Sequence, residues 1–384
     1  MGCGAGKYTA PQEIKTKWYN DFESKLPSLE GKVFCVTGCT TGTGFVCARA
    51  AARKGAHVVL LNRQSERAVA AEKSILEQAP GAKVTSVPCD LQSFDSVRAA
   101  VATLKEKFSE TGIDVLCNNA GVMALADEAT ADGYDVQMQT NHISHFLLTK
   151  ELFPLLELAG KLRGEARVVN HSSGARKFPS KKLDAAYLGK NGGSLGGNGN
   201  SMFMGGARWQ RYHQTKLANA VFTLGMDDRV RAASSKVKCL CAAPGLAATN
   251  LQVTTHQQDG LSSTWFMKYA QSSEDGAMPL LHCCAGAGVE SGDFWEPGGM
   301  ANMTGLPKKF QLESICTNPE SRKILWTLGC TLFFLISSVL VSGFGMDYML
   351  RGVVNVDVIL NLLWPRLTTP CSVWWFLHGG AAGV

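Results

Sequence analysis

The sequence predicts an α/β fold: a doubly wound parallel sheet with helices on both faces. Three features carry that expectation. Short, apolar, β-rich runs alternate with longer helical stretches from Lys32 onward. A glycine-rich turn, Thr37-Gly38-Cys39-Thr40-Thr41-Gly42-Thr43-Gly44, joins the first run to the first helix. Far downstream stands Tyr212-His213-Gln214-Thr215-Lys216, a Tyr-x-x-x-Lys pair.

Lys32 to Thr37 reads as the first strand and the alanine-rich Phe45 to Lys54 as the first helix. Between them Gly38, Gly42 and Gly44, spaced Gly-x-x-x-Gly-x-Gly, allow a tight turn and close backbone approach to a pyrophosphate. That anion would sit over the helix N-terminus, where unpaired N–H groups and the dipole favour it, with Thr40, Thr41 and Thr43 in the same turn. His57 to Asn62 is the second strand, ending in Asn62-Arg63. An acidic residue there would bind a ribose 2′-hydroxyl, whereas an arginine accommodates a 2′-phosphate, so NADP(H) is favoured over NAD(H). Lys83 to Cys89 is the third strand, closed by Asp90 and Leu91 where an adenine could approach. Val115 to Cys117 is the fourth, followed by Asn118-Asn119-Ala120-Gly121. Helices over Ala68–Gln78, Ser93–Phe108 and Tyr134–Leu156 fill the gaps, and Arg167–Asn170 and Lys236–Ala243 are further strands.

Residues i and i+4 of a helix share a face, which places the Tyr212 phenol beside the Lys216 ammonium. Tyrosine, with a pKa near 10, is a poor acid–base at neutral pH. A lysine one turn away is expected to favour the phenolate and bring that pKa toward the working range.

On the turn Thr37–Gly44, Asp90, Asn118-Asn119-Ala120-Gly121, Asn141, Ser172-Ser173, Tyr212 with Lys216, and Pro244-Gly245, the chain resembles the short-chain dehydrogenase/reductases over about residues 29–330. The stretches Thr140–Phe146, Tyr212–Asn219 and Ala243–Gly245 are most similar to the branch of retinol dehydrogenases and WW-domain oxidoreductases, with protochlorophyllide reductases close by. The resemblance implies a Rossmann-type fold and a catalytic tetrad of Asn141, Ser173, Tyr212 and Lys216. Tyr212 would be the acid in reduction and the base in oxidation. Lys216 would hold the nicotinamide ribose and tune Tyr212, Ser173 (rather than Ser172) would bond the substrate oxygen, and Asn141 would position a proton-relaying water. It further implies cofactor contacts from Asn119, Ala120 and Gly121, and from Pro244, Gly245 and Thr249 against the nicotinamide. The implied substrate is a small lipophilic carbonyl or alcohol, with ring C=C reduction as the alternative. A non-catalytic NADP-binding protein is disfavoured by retention of Ser173, Tyr212 and Lys216. Pairing through the helices Tyr134–Leu156 and Arg211–Val230 would give a homodimer.

The segment between Ser173 and Tyr212 is longer than in compact members of that family. It carries Leu195-Gly196-Gly197-Asn198-Gly199-Asn200-Ser201, then Met202-Phe203-Met204-Gly205-Gly206, and Trp209. A mobile lid over an apolar substrate and a surface insertion without substrate contact are both open.

The net charge of +6 gathers in no aromatic-interleaved basic patch, which argues against nucleic-acid binding. The 13 cysteines include no Cys-x-x-Cys pair and suit free buried thiols in a reducing compartment. His282-Cys283-Cys284 diverge around a helix and cannot share a metal, and His142 with His145 are assigned to packing. Residues 1–28 form a lead-in, whose Met1-Gly2-Cys3 start imitates an acylation signal but has Gly6 where Ser or Thr is expected. Residues 331–384 form an apolar tail. The uncharged run Ile324–Gly345 would extend about 33 Å as a helix, enough for a bilayer core. Arg322-Lys323 ahead of it would keep the catalytic domain on the cytosolic side, with the organelle open. The competing expectation is that this run covers an apolar face of the domain, residues up to about Leu328 belonging to its last helix.

Overall fold

A computed structural model describes residues 14–179, 182–201, 204–249, 251, 255, 269–299 and 301–339, with side chains to residue 329. The strands are β1 (Val33–Thr37), β2 (His57–Asn62), β3 (Val84–Pro88), β4 (Val115–Asn118), β5 (Ala166–His171), β6 (Val237–Ala242), β7 (Phe294–Gly299) and β8 (Thr304–Phe310). They form one sheet in the order β3-β2-β1-β4-β5-β6-β7-β8, parallel throughout except that β8 runs antiparallel to β7. This is the expected doubly wound Rossmann-type sheet. The winding reverses between β1 and β4, the kind of place where a crevice opens at the carboxyl ends of parallel strands.

Alternation along each strand builds both faces. Val33, Cys35, Val59, Leu61, Val168 and Cys239 point into one core, while Phe34, Val36, Val58, Leu60, Val169 and Leu240 point into the other. A strand apolar on both sides must be covered on both. The first face is covered by α4 (Phe94–Lys107), α6 (Ser144–Arg163) and α7 (Ala207–Ala232). The second is covered by α2 (Gly42–Arg53), α8 (Ser273–Ala285) and the lead-in helix α1 (Tyr19–Ser24). Asp275 pins the lead-in by accepting the backbone N–H groups of Lys17, Trp18 and Tyr19 at 2.9–3.0 Å. The ten cysteines whose side chains are described are buried free thiols.

Boundaries differ where side chains cap or backbones bend. α3 (Glu66–Gln78) starts two residues earlier than its apolar pattern, because Ser65 accepts the Ala68 N–H. The expected helix Tyr134–Leu156 is instead a short α5 (Val136–Met138), a π-helical turn (Gln139–Ile143) and α6. β7 and the edge strand β8 have no counterpart among the expected elements. Pro297 stands opposite Pro307 in their register, and proline in both masks strand periodicity; it is tolerated because Pro307 is on the edge strand and Pro297 lies past Phe294 and Trp295, where β7 pairs with β6.

After α9 (Ser314–Thr317), α10 (Pro319–Val339) lies on α6 and α7. Its Leu325 and Trp326 are buried, and Ile324 and Leu328 pack on the same core. The start of the uncharged run is therefore part of the enzyme domain. No helix among the described residues is long and apolar enough to cross a membrane. Residues 340–384, the rest of the expected tail, lie outside the described residues, as does the acylation-like start.

Candidate active site

β1 runs directly into the glycine turn. Gly38 takes a left-handed φ of +66°, and a Cβ there would press onto Ala120 at 2.7 Å. On Gly44 a Cβ would run into the Asn119 amide and the Gly38 carbonyl. Besides any approach of a phosphate, these glycines are needed for the turn to pack on the segment after β4. Asn119 is spent on that packing. Its Nδ2 donates to the carbonyls of Thr37 (2.9 Å) and Gly38 (3.1 Å), and its Oδ1 accepts from the Thr43 hydroxyl (3.0 Å). Thr40 and Thr41 are half-buried beside it. α2 begins at Gly42, and Thr41 makes no side-chain cap, so the first-turn N–H groups remain available to an anion.

Arg63 is exposed and lines a cavity of about 390 Å³ with Gln64, Ser65, Arg67, Asp90 and Ser96. Asp90 accepts the Gln92 N–H at 2.9 Å. Leu91 is buried, and its carbonyl takes the Ser144 hydroxyl at 2.6 Å, so it anchors α6. Arg67 is the residue that the strand-end pattern passes over. Its place in the first turn of α3, four residues after Arg63, brings a second guanidinium to the same cavity.

The four residues of the expected tetrad converge. Tyr212 and Lys216 are buried one turn apart on α7. Tyr212 lies near Ser173, which follows β5 and opens the 3₁₀ turn Gly174–Lys177, and the serine hydroxyl favours the phenolate. Ser172 donates its hydroxyl to the Lys216 carbonyl at 2.7 Å, a bond that leaves only its neighbour for a substrate. Lys216 Nζ donates to the His171 carbonyl at 3.1 Å. A Cβ on Gly121 would lie 3.2 Å from Asn141 Oδ1 and 3.5 Å from Lys216 Nζ, so the absence of a side chain there keeps these groups together. Asn141 sits inside the π-helical turn. Its side chain accepts the Val122 N–H (2.7 Å) and donates to the Val122 carbonyl (2.8 Å) and Thr215 hydroxyl (3.0 Å).

The electrostatics correct one expectation. Burial pushes the Tyr212 phenol up to about 12, opposed by the nearby Ser173 hydroxyl, and burial holds Lys216 down at about 8. Desolvation penalises both charged forms and outweighs the pull of an ammonium 5.7 Å from the phenol ring centre.

Beyond β6, the Pro244 carbonyl accepts from the Gln271 amide at 2.8 Å. Gly245 takes φ +65° against the carbonyl of Met303. The Thr249 side chain comes within 3.3 Å of where a Gly42 Cβ would be, which returns this segment to the glycine turn.

The insertion is stapled to the residues flanking Tyr212. Asp127 accepts the N–H groups of Gly193 (3.0 Å), Leu195 (2.8 Å) and Gly197 (2.8 Å), and its own N–H goes to Asn198 Oδ1 (2.6 Å). Arg211, fully buried, donates to the carbonyls of Leu195 and Gly197 and pairs with Asp135 at 3.3 Å. The Trp209 indole donates to Asn200 Oδ1 (3.1 Å) and stands edge-on to Tyr212 at 5.9 Å between ring centres. Trp209 and Tyr212 join Met123, Ala124 and Ala175 in a buried apolar cluster, with Met204 and Leu251 against it. A surface loop out of contact with the site does not describe this arrangement.

A family model for short chain dehydrogenases matches residues 32–188. A short-chain dehydrogenase/reductase of Penicillium rubens is 32% identical over 349 residues, covering 87% of this chain and 92% of that protein. The chain belongs to the short-chain dehydrogenase/reductase family. Retinol dehydrogenase 12 of Homo sapiens is 29% identical over 312 residues, covering 79% of this chain and 87% of its own. Among solved structures, an uncharacterized protein of Mycobacterium paratuberculosis superposes with a TM-score of 0.61 at 27% identity, covering 83% of this chain and 97% of that one. This dehydrogenase/reductase is thus similar to retinol dehydrogenases as well as to fungal members of its family.

Proposed function

We propose that this short-chain dehydrogenase/reductase uses NADP(H) to interconvert a carbonyl and an alcohol on a small lipophilic substrate. The observation that carries the reading is the convergence of Tyr212, Lys216 and Ser173 beside the apolar cluster of Met123, Ala124, Ala175 and Trp209. Two hydroxyls aimed at one oxygen, walled by apolar side chains, suit a polarised carbonyl on an otherwise greasy molecule. The residues fit a dinucleotide with a 2′-phosphate. Arg63 and Arg67 offer two guanidinium groups to the phosphate, Asp90 borders the same cavity, and the uncapped start of α2 suits the pyrophosphate. Lys216 would hold the nicotinamide ribose, with Gly121, Pro244, Gly245 and Thr249 lining that end. The nicotinamide supplies or accepts the hydride. Tyr212 gives its proton to the oxygen in reduction and takes it back in oxidation, Ser173 donates to the same oxygen, and Asn141 and Lys216 resupply the proton.

α10 covers part of the α6–α7 surface through Trp326, which packs on Phe146 and Phe222 beside Gly225. Homodimer pairing through that surface would have to displace it. Attachment to a membrane would fall to the segment after α10.

The test is NADPH oxidation against a panel of all-trans-retinal, nonanal, hydrophobic ketones and protochlorophyllide. Turnover of aldehydes or ketones that is lost in Tyr212→Phe supports the reading. Turnover of protochlorophyllide alone would replace it with C=C reduction.

A further inference from the structure

His145 lies one turn beyond Asn141 and touches both halves of the site. Its Nε2 is 2.9 Å from the Thr37 hydroxyl, and its Nδ1 is 3.1 Å from the Asn141 carbonyl. Thr37 is the last residue of β1, immediately before the glycine turn, and Asn141 is the centre of the π-helical turn.

The direction of each bond follows from counting protons. A threonine hydroxyl has one hydrogen and two lone pairs. Both acceptor positions of Thr37 Oγ1 are taken by the backbone N–H groups of Asn119 and Ala120, each at 3.0 Å. Its hydrogen must therefore go outward, to His145 Nε2 at 2.9 Å or to the Cys117 carbonyl at 3.4 Å, and the shorter contact wins. Nε2 is then an acceptor. A neutral imidazole has one protonated nitrogen, so Nδ1 carries the proton and donates to the Asn141 carbonyl. The ring is buried and stays neutral, since burial holds its pKa down at about 3.

We infer that His145, in the Nδ1–H tautomer, is a positioning residue that ties the glycine turn to the Asn141 carbonyl and so fixes the π-helical turn that carries Asn141. The inference rests on the reading of Asn141 as part of the proton relay. A π-turn is a local departure from helical bonding, and a donor held by the neighbouring strand gives its displaced carbonyl one direction. The packing role expected for this histidine from its spacing is thereby replaced by a hydrogen-bonding one. His142, its neighbour, bonds Asn219 and sits among Phe146 and Phe222, which leaves it to packing.

The test separates tautomer from turnover. Nitrogen-15 NMR of histidine-labelled full-length protein, with His145 assigned by its loss in His145→Gln, should show the proton on Nδ1 at neutral pH. A proton on Nε2, or on both nitrogens, would overturn the inference without any assay. Asparagine places its amide near the Nδ1 position and glutamine near Nε2. With NADPH and the fastest carbonyl of the panel above, His145→Asn should keep kcat within about threefold of wild type, whereas His145→Gln should lose about tenfold, both binding NADPH with unchanged affinity. Equal kcat in the two variants, or losses that track the folded fraction measured by circular dichroism, would overturn it. A wild-type kcat in His145→Gln beside a crippled Asn141→Ala would overturn the inference alone. An unimpaired Asn141→Ala would overturn the relay reading together with it.

Discussion

Arg211 and Asp135 form an ion pair at 3.3 Å with both side chains fully buried, one residue before the tyrosine proposed as the proton donor. The same guanidinium holds the carbonyls of Leu195 and Gly197. The stretch of α7 that carries Tyr212, the loop after β4 and the insertion therefore meet at one cation. Removing one partner of such a pair strands the other in the core, at a cost of about 3–5 kcal/mol.

Asp127→Asn should act more gently. It leaves a side chain of the same size but weakens three charge-assisted bonds to the insertion, a loss of about 1–3 kcal/mol. Limited proteolysis should then cut within residues 190–206 while the sheet core stays intact. Cleavage no faster than in wild type would show that the staple is not what holds the insertion.

Tyr212→Phe keeps the ring and its edge contact with Trp209 but removes the proposed proton donor. Turnover should fall at least about a hundredfold, with NADPH binding retained. Ser173→Ala should lower turnover in the same direction, because it removes the proposed donor to the substrate oxygen and the hydroxyl that opposes the raised pKa of Tyr212. Turnover within a few-fold of wild type in Tyr212→Phe would remove the residue from the mechanism.

Arg63→Ala and Arg67→Ala should each raise the Michaelis constant for NADPH far more than that for NADH. A charge-assisted bond of about 1.5–3 kcal/mol corresponds to roughly ten- to a hundredfold. Equal effects on both cofactors would mean that neither guanidinium reads a 2′-phosphate.

Lys216→Met should abolish turnover and yet stabilise the protein near neutral pH. The folded pKa of about 8 lies below the ordinary 10.5, so between those values the unfolded chain binds the extra proton and stability rises with pH. Below about pH 8 the buried ammonium costs its full amount, roughly 1–3 kcal/mol once the lost bond to His171 is allowed for. Urea midpoints at pH 7 and pH 9.5 should show the gap between variant and wild type narrowing as pH rises. A gap independent of pH would contradict the desolvation account.

Trp326→Ala should destabilise the domain by about 3–5 kcal/mol, since the ring fills the space over Gly225 and lies 3.7 Å under the Arg229 guanidinium. Removal of residues 340–384 should leave thermal stability unchanged and, if that tail anchors the enzyme, release it from membranes that resist alkaline carbonate. A shortened chain that aggregates would show instead that the tail covers the domain.

Much of this protein could be read along the chain. The positions of β1 to β6, the glycine turn, and the placing of Tyr212 and Lys216 on one helix face are written in patterns a few residues long, because two-residue alternation, tight turns and helical i,i+4 spacing are local requirements of the backbone. What only the tertiary structure decided involves partners far apart in sequence. Asn119 clasps the turn after β1, Asp127 gathers the insertion, and His145 takes its tautomer from a threonine more than a hundred positions away. Arg63 and Arg67 share a cavity with Asp90 and Ser96, more than twenty positions further on. The Tyr212 pKa went against its local pattern for the same reason: a lysine one turn away is visible in the sequence, but desolvation depends on everything packed around the pair.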